Sequence, residues 1–441
     1  MSGDGDLALI RSSFERVQRR ASHVVTFFYV HLFDAHPEVR GLFPADMSEQ
    51  FDRLFAALGY VVAHLDDPGL GEYLAQLGRD HRKFDIAPEH FDAVGQSLIA
   101  ALRFGSGQVW DEATEAAWLG AYGVAAGAMQ EGARQAAAAG EPRWWQALVL
   151  QHRLHEGHTA VFTVLPDHHY PYRPGQFATL QLPHLPGVWR PYSIARAPRR
   201  DGILEFHVSR VDGGLLSPVI CDRLEEGDRI RLGPASGAAL TPSQDAPWIT
   251  LIAAGSGWSA VKPVVEELTS RRPAPRVRVD LVARTRRHLY DLPTLSALAE
   301  RYSWLDVALW HADPSESETR ATERLFADLA ARRDWHSRHV YVSGPPGFVA
   351  EVGALLTECG LPANRLTHDP LRPPGARIQY QGHADRFLDP KPVPWIDPAT
   401  RTGEPVPPPR PAPRPQPAPY EPTRTRSTPA SPAEESDRAA R

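Results

Sequence analysis

Cysteine is nearly absent: Cys221 and Cys359 are the two thiols in 441 residues. Two thiols cannot build a disulfide framework or a four-thiolate metal site. Long apolar runs are missing as well, and no stretch reaches the roughly 18 residues of a membrane span. The N-terminus, MSGDGDLALIRS, has no basic segment followed by an apolar one, so a signal peptide is not expected. Nor is there a large charge of one sign. Lys plus Arg number 48 and Asp plus Glu 53, and a net charge of −5 gives no electrostatic case for nucleic acid. What is left is an ordinary globular composition, 42% hydrophobic and 23% charged. The expectation is a soluble cytoplasmic protein of two to four domains, with neither nucleic acid nor membrane as a partner.

Proline is abundant but uneven. Of 43 prolines, 18 fall in the last 70 residues, from Arg372 onward, and Glu404 to Tyr420 reads EPVPPPRPAPRPQPAPY. Such a segment has too few apolar side chains to offset ordering entropy and favours extended polyproline II. The reading is a disordered tail over 372–441. Its PxxP spacing leaves a docking partner open beside the simpler solvated tail.

The remaining chain changes texture twice. Up to about Ala139 the apolar spacing is helical: Phe51, Leu54, Phe55, Leu58, Val61 and Val62, then Phe91, Val94, Leu98 and Leu102, then Trp118, Tyr122, Ala125 and Met129. Prolines 37, 44, 68 and 88 fall between or at the starts of these segments. After Pro142 come short β-branched and aromatic runs: Ala160–Leu165, Gln176–Leu182, Trp189–Ala195, Ile203–Val211 and Asp228–Leu232. Gly and Pro clusters separate them, the pattern of a small antiparallel barrel. From Trp248 strands alternate with helices, which implies a parallel sheet covered on both faces. The fold expected is multidomain α + β: an all-α domain over 1–143, an antiparallel Greek-key barrel over 144–245, an α/β parallel-sheet domain over 246–371, and the tail.

The chain has 19 histidines, so any one carries little weight as a ligand. His81 gains weight from its company. Phe28-Tyr29-Val30-His31-Leu32-Phe33, Leu42-Phe43-Pro44 and His81-Arg82-Lys83-Phe84 with Pro88-Glu89 resemble, in content and spacing, the globin domain of bacterial flavohaemoglobins. The resemblance makes His81 the proximal iron ligand of haem b, a neutral imidazole that leaves the sixth position open for a gas. It makes Phe43 the ring against the haem face and Tyr29 the distal hydroxyl that donates to a bound gas. Gln50 and Leu54, one helical turn apart, become the distal glutamine and the apolar residue restricting access. Two positions depart from the family. Phe91 stands where a tyrosine supports the proximal histidine, and Ala133 stands where a glutamate does so, with Glu131 two residues off. Tyr122 and His90 are the candidates to stand in. These departures are similar to a second, actinobacterial-looking class of flavohaemoglobins.

The barrel region carries Arg190-Pro191-Tyr192-Ser193, which resembles the signature of ferredoxin-reductase-like flavin barrels. The chemistry calls for a guanidinium on the diphosphate, an aromatic ring against the isoalloxazine, and a small hydroxyl near its reactive nitrogen. Gly213-Gly214-Leu215-Leu216-Ser217 then opens a helical segment whose glycines admit a phosphate. Pro174-Gly175-Gln176-Phe177 fits the same family. Further on, Gly255-Ser256-Gly257 follows a buried strand and precedes a helix, as dinucleotide-binding turns do. Ser343-Gly344-Pro345 resembles the segment beside the nicotinamide, with Ser343 replacing the usual cysteine. Asp369 stands near the late glutamate of the family, and Leu371 replaces an aromatic. Arg284, Arg286 and Arg287 either meet a 2′-phosphate, favouring NADPH, or form a solvated basic turn.

The resemblance covers residues 6 to about 371. It implies a flavohaemoglobin-type oxidoreductase: hydride from NAD(P)H to FAD, single electrons from FAD to haem, and conversion of nitric oxide with O2 to nitrate. Two other readings stay open: a flavohaem oxidoreductase using a different electron donor, and a haem-based sensor or binding module for O2, NO or redox state.

Overall fold

The computed structural model describes residues 3–44, 47–156, 158–237, 239–240, 242, 248–317 and 319–368. The proline-rich tail expected from Arg372, and the positions Asp369 and Leu371, lie outside the described residues.

The N-terminal region is helical: α1 (Asp4–Gln18), α2 (Ala21–Ala35), α3 (Ser48–Ala63), α4 (Leu70–His81), α5 (Pro88–Ser106) and α6 (Glu112–Ala138), with a 3₁₀ turn at Pro37–Leu42. Pro88 opens α5 at the position where a missing N–H costs nothing. Asp111 caps α6, its carboxylate accepting from Thr114 N at 2.8 Å. Phe14, Phe28, Tyr29, Leu32, Leu102 and Trp118 are among the buried residues of the core. Two glycines let α4 and α6 cross in backbone contact. A Cβ at Gly78 would lie 1.9 Å from the Met129 carbonyl oxygen, and one at Gly132 would lie 2.2 Å from that of Ala75. The helix ending at His81 is therefore held by a close crossing.

The second region is an antiparallel sheet of β1 (Trp145–His155), β2 (Thr159–Pro166), β3 (Phe177–Gln181), β4 (Arg190–Ser193), β5 (Leu204–Ser209) and β6 (Arg229–Leu232). Its order is β4-β3-β6-β1-β2-β5, and a bridge between Ile194 and Phe206 joins the two ends into a barrel. Five of these strands fall where the sequence places them. The longest, β1, was not expected. Only Trp145, Ala147 and Val149 of it alternate inward, a register shift follows Val149, and the rest is largely polar. The helical segment expected after Gly213 is the short α7 (Ser217–Arg223).

The third region alternates β7 (Trp248–Ala254), α8 (Trp258–Leu268), β8 (Arg276–Thr285), α9 (Leu292–Arg301), β9 (Leu305–Ala312), α10 (Arg320–Ala331), β10 (Arg338–Ser343), α11 (Pro346–Glu358) and β11 (Leu366–His368). All neighbours are parallel, in the order β11-β10-β7-β8-β9. The succession reverses between β7 and β10, so the crevice at their C-terminal ends is where such sheets bind ligands. The three regions cluster into one compact unit, within Met1–Leu388. Among the described residues no helix is long and apolar enough to cross a membrane.

Candidate functional site

At the end of α4, His81 Nδ1 lies 2.8 Å from the Leu77 carbonyl oxygen, one turn back. A carbonyl only accepts, so Nδ1 carries the proton and Nε2 keeps its lone pair. Burial lowers the imidazole pKa, more than the Leu77 carbonyl and Asp80 raise it, and so favours the neutral ring. Both properties fit a haem-iron ligand. Neither stand-in candidate is directed at this ring. Tyr122 donates to the Phe91 carbonyl at 2.5 Å, its ring filling the space that Gly95 leaves open. His90 Nδ1 accepts from Ala87 N at 3.0 Å. Glu131 is exposed and pairs with Arg134 and Gln135.

On the distal side, Tyr29 is buried, and its ring meets Phe43 and Phe51 edge-on at 5.7 and 4.9 Å. Its hydroxyl reaches the Gln50 main-chain carbonyl at 3.2 Å, long for an O–H···O bond. Leu54 packs against the same core, one turn along α3.

The helical region meets the barrel just beyond His81. In the turn Arg82–Phe84, the Lys83 side chain is buried, and its ammonium donates to Asp80 Oδ1 at 2.6 Å and to Thr179 Oγ1 of β3 at 2.9 Å. It also lies 5.2 Å from the ring centres of Phe84 and Trp189. Rings therefore run from His81 to Phe84, with centroids 5.8 Å apart, and from Phe84 to Trp189, 6.4 Å apart. Trp189 directly precedes the flavin-type motif on β4. Close by, Gln50 and Arg53 of α3 share a small hollow with Gly187, Arg190 and Leu215.

Nine of the remaining candidates gather at a cleft of about 630 Å³ between barrel and parallel sheet. Tyr192 and Ser193 line it from β4, Gly255, Ser256 and Gly257 from the turn after β7, and Ser343, Gly344 and Pro345 from the end of β10. The two turns touch: a Cβ at Gly257 would lie 2.5 Å from the Ser343 carbonyl oxygen. This is the close approach that the GxG spacing anticipates. Arg284 stands exposed on the wall, 3.3 Å from His158 Nε2. Gly213, Gly214, Leu216 and Ser217 are not on its walls. They form a turn in which Ser217 Oγ accepts from Val211 N at 3.1 Å.

Comparison with known proteins bears on this arrangement directly. The globin family profile matches residues 26–129, and that of the oxidoreductase FAD-binding domain matches residues 153–239. Over 391 residues the chain is 26% identical to a flavohemoprotein of Deinococcus radiodurans, spanning 81% of this chain and 94% of that one. A Bordetella pertussis flavohemoprotein is 25% identical over 389 residues, 81% and 96% of the two chains. The fold is that of the flavohemoglobin of Malassezia yamatoensis, solved with bound FAD and heme, at a TM-score of 0.68 and 17% identity over 84% of this chain and 99% of that one. In domain content and order the chain is similar to the flavohaemoglobins, with a globin followed by an FAD-binding oxidoreductase domain. The globin profile supports haem b as a cofactor, the FAD-binding profile supports FAD, and the reductase-type fold supports NAD(P)H.

Within this arrangement, sequence reasoning passed over two groups of residues. One is the Lys83–Thr179–Trp189 junction. Its signal was a lysine two residues after the candidate ligand and a tryptophan directly before the flavin motif. The other is an ionisable network behind the cleft, in which Lys262 of α8 donates to Glu205 Oε1 and Glu266 Oε1, both at 2.8 Å. A lysine inside the apolar run Val261-Lys262-Pro263-Val264 was its signal, since lysines are rarely buried unpaired. Burial by itself would raise the Glu205 carboxyl. The His207 hydrogen bond and the Lys262 charge outweigh it and pull that carboxyl down to about 2.

Proposed function

We propose that the chain is a nitric oxide dioxygenase that takes electrons from NAD(P)H through FAD to haem b and forms nitrate from nitric oxide and O2. The domains in this reading are a globin over 1–143, the FAD barrel over 144–245, the nucleotide domain over 246–371 and the tail over 372–441. One observation carries it: the turn after His81 and the strand bearing Arg190-Pro191-Tyr192-Ser193 meet through Phe84 and Trp189. A haem ligand and a flavin motif joined by packed rings suit electron passage, which a gas-binding globin alone does not need.

Haem would supply gas binding and one-electron chemistry, and flavin the conversion of a hydride into single electrons. The residues do the rest. His81 presents Nε2 while its Nδ1–H stays on Leu77. Tyr29 holds a proton to donate in the distal space, with Gln50 and Leu54 limiting its width and Phe43 beside it. Arg190 meets a diphosphate, with Gly213, Gly214, Leu215, Leu216 and Ser217 shaping the neighbouring turn. Tyr192 and Ser193 orient the ring system, and Gly255, Ser256, Gly257, Ser343, Gly344 and Pro345 admit the nicotinamide. Arg284, exposed on the wall, suits a 2′-phosphate. Two unpaired cysteines support a cytoplasmic setting.

The test is aerobic nitric oxide consumption by haem- and FAD-loaded protein, with nitrate quantified and NADH and NADPH supplied separately. Sustained turnover with nitrate matching the nitric oxide lost is the expected result. Consumption of one haem equivalent, leaving ferric protein that neither nucleotide reduces, would sink the reading. The alternative that then gains is a gas-binding or sensing globin. Its supporting observation is the proximal side, where Tyr122 is committed to Phe91 and Glu131 to the surface.

A further inference from the structure

Behind the cleft lies a row of ionisable groups that the proposed reaction has not yet used. His207 of β5 is fully buried at its side chain. Its Nδ1 is 3.0 Å from the Tyr290 hydroxyl and its Nε2 is 2.9 Å from Glu205 Oε1. The same Glu205 oxygen takes a hydrogen bond from Lys262, which is shared with Glu266 and also donates to the Ala195 carbonyl at 3.0 Å. At the outer end Glu266 Oε2 accepts from Ala197 N at 2.9 Å, and half-exposed Arg199 lies 3.5 Å away. His155 faces the Tyr290 ring at 6.1 Å, and Asp291 adjoins it in sequence.

The strand register ties this row to the candidate flavin residues. Ile194 bridges Phe206, and Ala195 N donates to the Glu205 carbonyl. The antiparallel partner of Ser193 is therefore His207. Directly opposed residues share a face with Cβ atoms about 4.5–5.5 Å apart. Ser193, His207 and Tyr290 all line the cleft.

Glu205 can only accept, so Nε2 of His207 carries a proton in either charge state. In the neutral ring Nδ1 is the acceptor and Tyr290 the donor. In the protonated ring that bond reverses, and the Tyr290 proton has to swing toward the cleft. A carboxylate that shares its one ammonium with a second carboxylate is well placed to stabilise an imidazolium. A hydride brings two electrons and one proton, whereas a haem takes electrons alone. One proton per hydride must leave the cleft.

We propose that His207, gated by the Tyr290 hydroxyl, takes up that proton. This deepens the proposed function and rests on its placement of the flavin in the cleft. In the step Tyr290 Oη would accept the proton that a bound flavin releases as its electrons pass to haem, and would pass its own proton to His207 Nδ1, so that one O–H bond replaces another and the Nδ1–H bond forms. Nε2–H stays on Glu205.

The test uses full-length FAD-loaded protein, wild type, His207→Gln and Tyr290→Phe, reduced anaerobically by dithionite and reoxidised by ferricyanide. Dithionite makes the test independent of nucleotide use, so failure of NADH and NADPH to bleach the flavin counts against the proposed function alone. Wild type is expected to show a solvent deuterium effect of about twofold on reoxidation. Both variants are expected to reoxidise roughly tenfold or more slowly. Histidine NMR of the wild type should show Nδ1 gaining a proton on reoxidation, a change that a purely structural role would not produce. Reoxidation at the wild-type rate in both folded variants, or a His207 resonance indifferent to flavin state, would overturn the proposal.

Discussion

The two ends of the proposed electron path are built differently. Around His81 the supporting partners are backbone: the Leu77 carbonyl orients the ring, and Gly78 and Gly132 bring α6 against α4. Around Ser193 they are ionisable side chains: His207, Glu205, Lys262 and Glu266 in one chain of hydrogen bonds. A backbone carbonyl fixes geometry but neither takes nor gives a proton, whereas a buried carboxylate and imidazole can do both. The difference locates proton handling at the reductase end and leaves the globin end to positioning.

The largest effect that would break this comparison is at the α4–α6 crossing. In Gly78→Ala the new methyl meets a backbone carbonyl that cannot step aside, so the helices must separate. A loss of about 3 kcal/mol is expected, with haem released as His81 shifts. Gly255→Ala is the counterpart at the cleft, where nothing lies within 4 Å of the added carbon but φ is +56°. It should cost only about 1 kcal/mol, through backbone strain. Thermal melts and haem retention of both variants check the ordering.

The next effect is at the reductase end and depends on pH. Glu205 titrates at about 2 in the folded chain against an ordinary 4.5. Its stabilisation is therefore complete above about pH 4.5 and is lost as pH falls toward 2. Glu205→Gln should lower stability near pH 7 by about 3 kcal/mol. Melting curves of variant and parent should converge as the pH falls through that window. Parallel curves would mean that the carboxylate is not held by Lys262 and His207.

How much of this was legible in the sequence depended on the kind of signal. Gly255-Ser256-Gly257 and Ser343-Gly344-Pro345 could be read because a turn chemistry is local, and the parallel sheet brings both turns to one crevice. The barrel strands could be read from Phe206 and Ile230 alternating with polar neighbours, but β1 could not, since its pattern breaks at Val149. The orientation of His81 was out of reach, because a backbone carbonyl leaves no trace in residue identity. So was the pairing of Ser193 with His207, which depends on strand register rather than on spacing along the chain. Thr179 bonding to Lys83 across 96 positions was hidden for the same reason.

The smallest effect concerns Tyr122, which the sequence offers as a replacement for the tyrosine missing at Phe91. The structure gives its hydroxyl to the Phe91 carbonyl, which as a helical carbonyl already has the Gly95 N–H to accept. Tyr122→Phe therefore removes one hydrogen bond without stranding an acceptor, and the ring still fills the space beside Gly95. A loss of about 1 kcal/mol or less is expected. Resonance Raman of the ferrous, haem-loaded protein should show the same iron–histidine stretch in variant and parent, since the removed hydroxyl is bonded to Phe91 and not to His81. A lowered stretch in the variant would show Tyr122 supporting the histidine after all, and the contrast between a backbone-held globin end and a side-chain-held reductase end would fail at its first member.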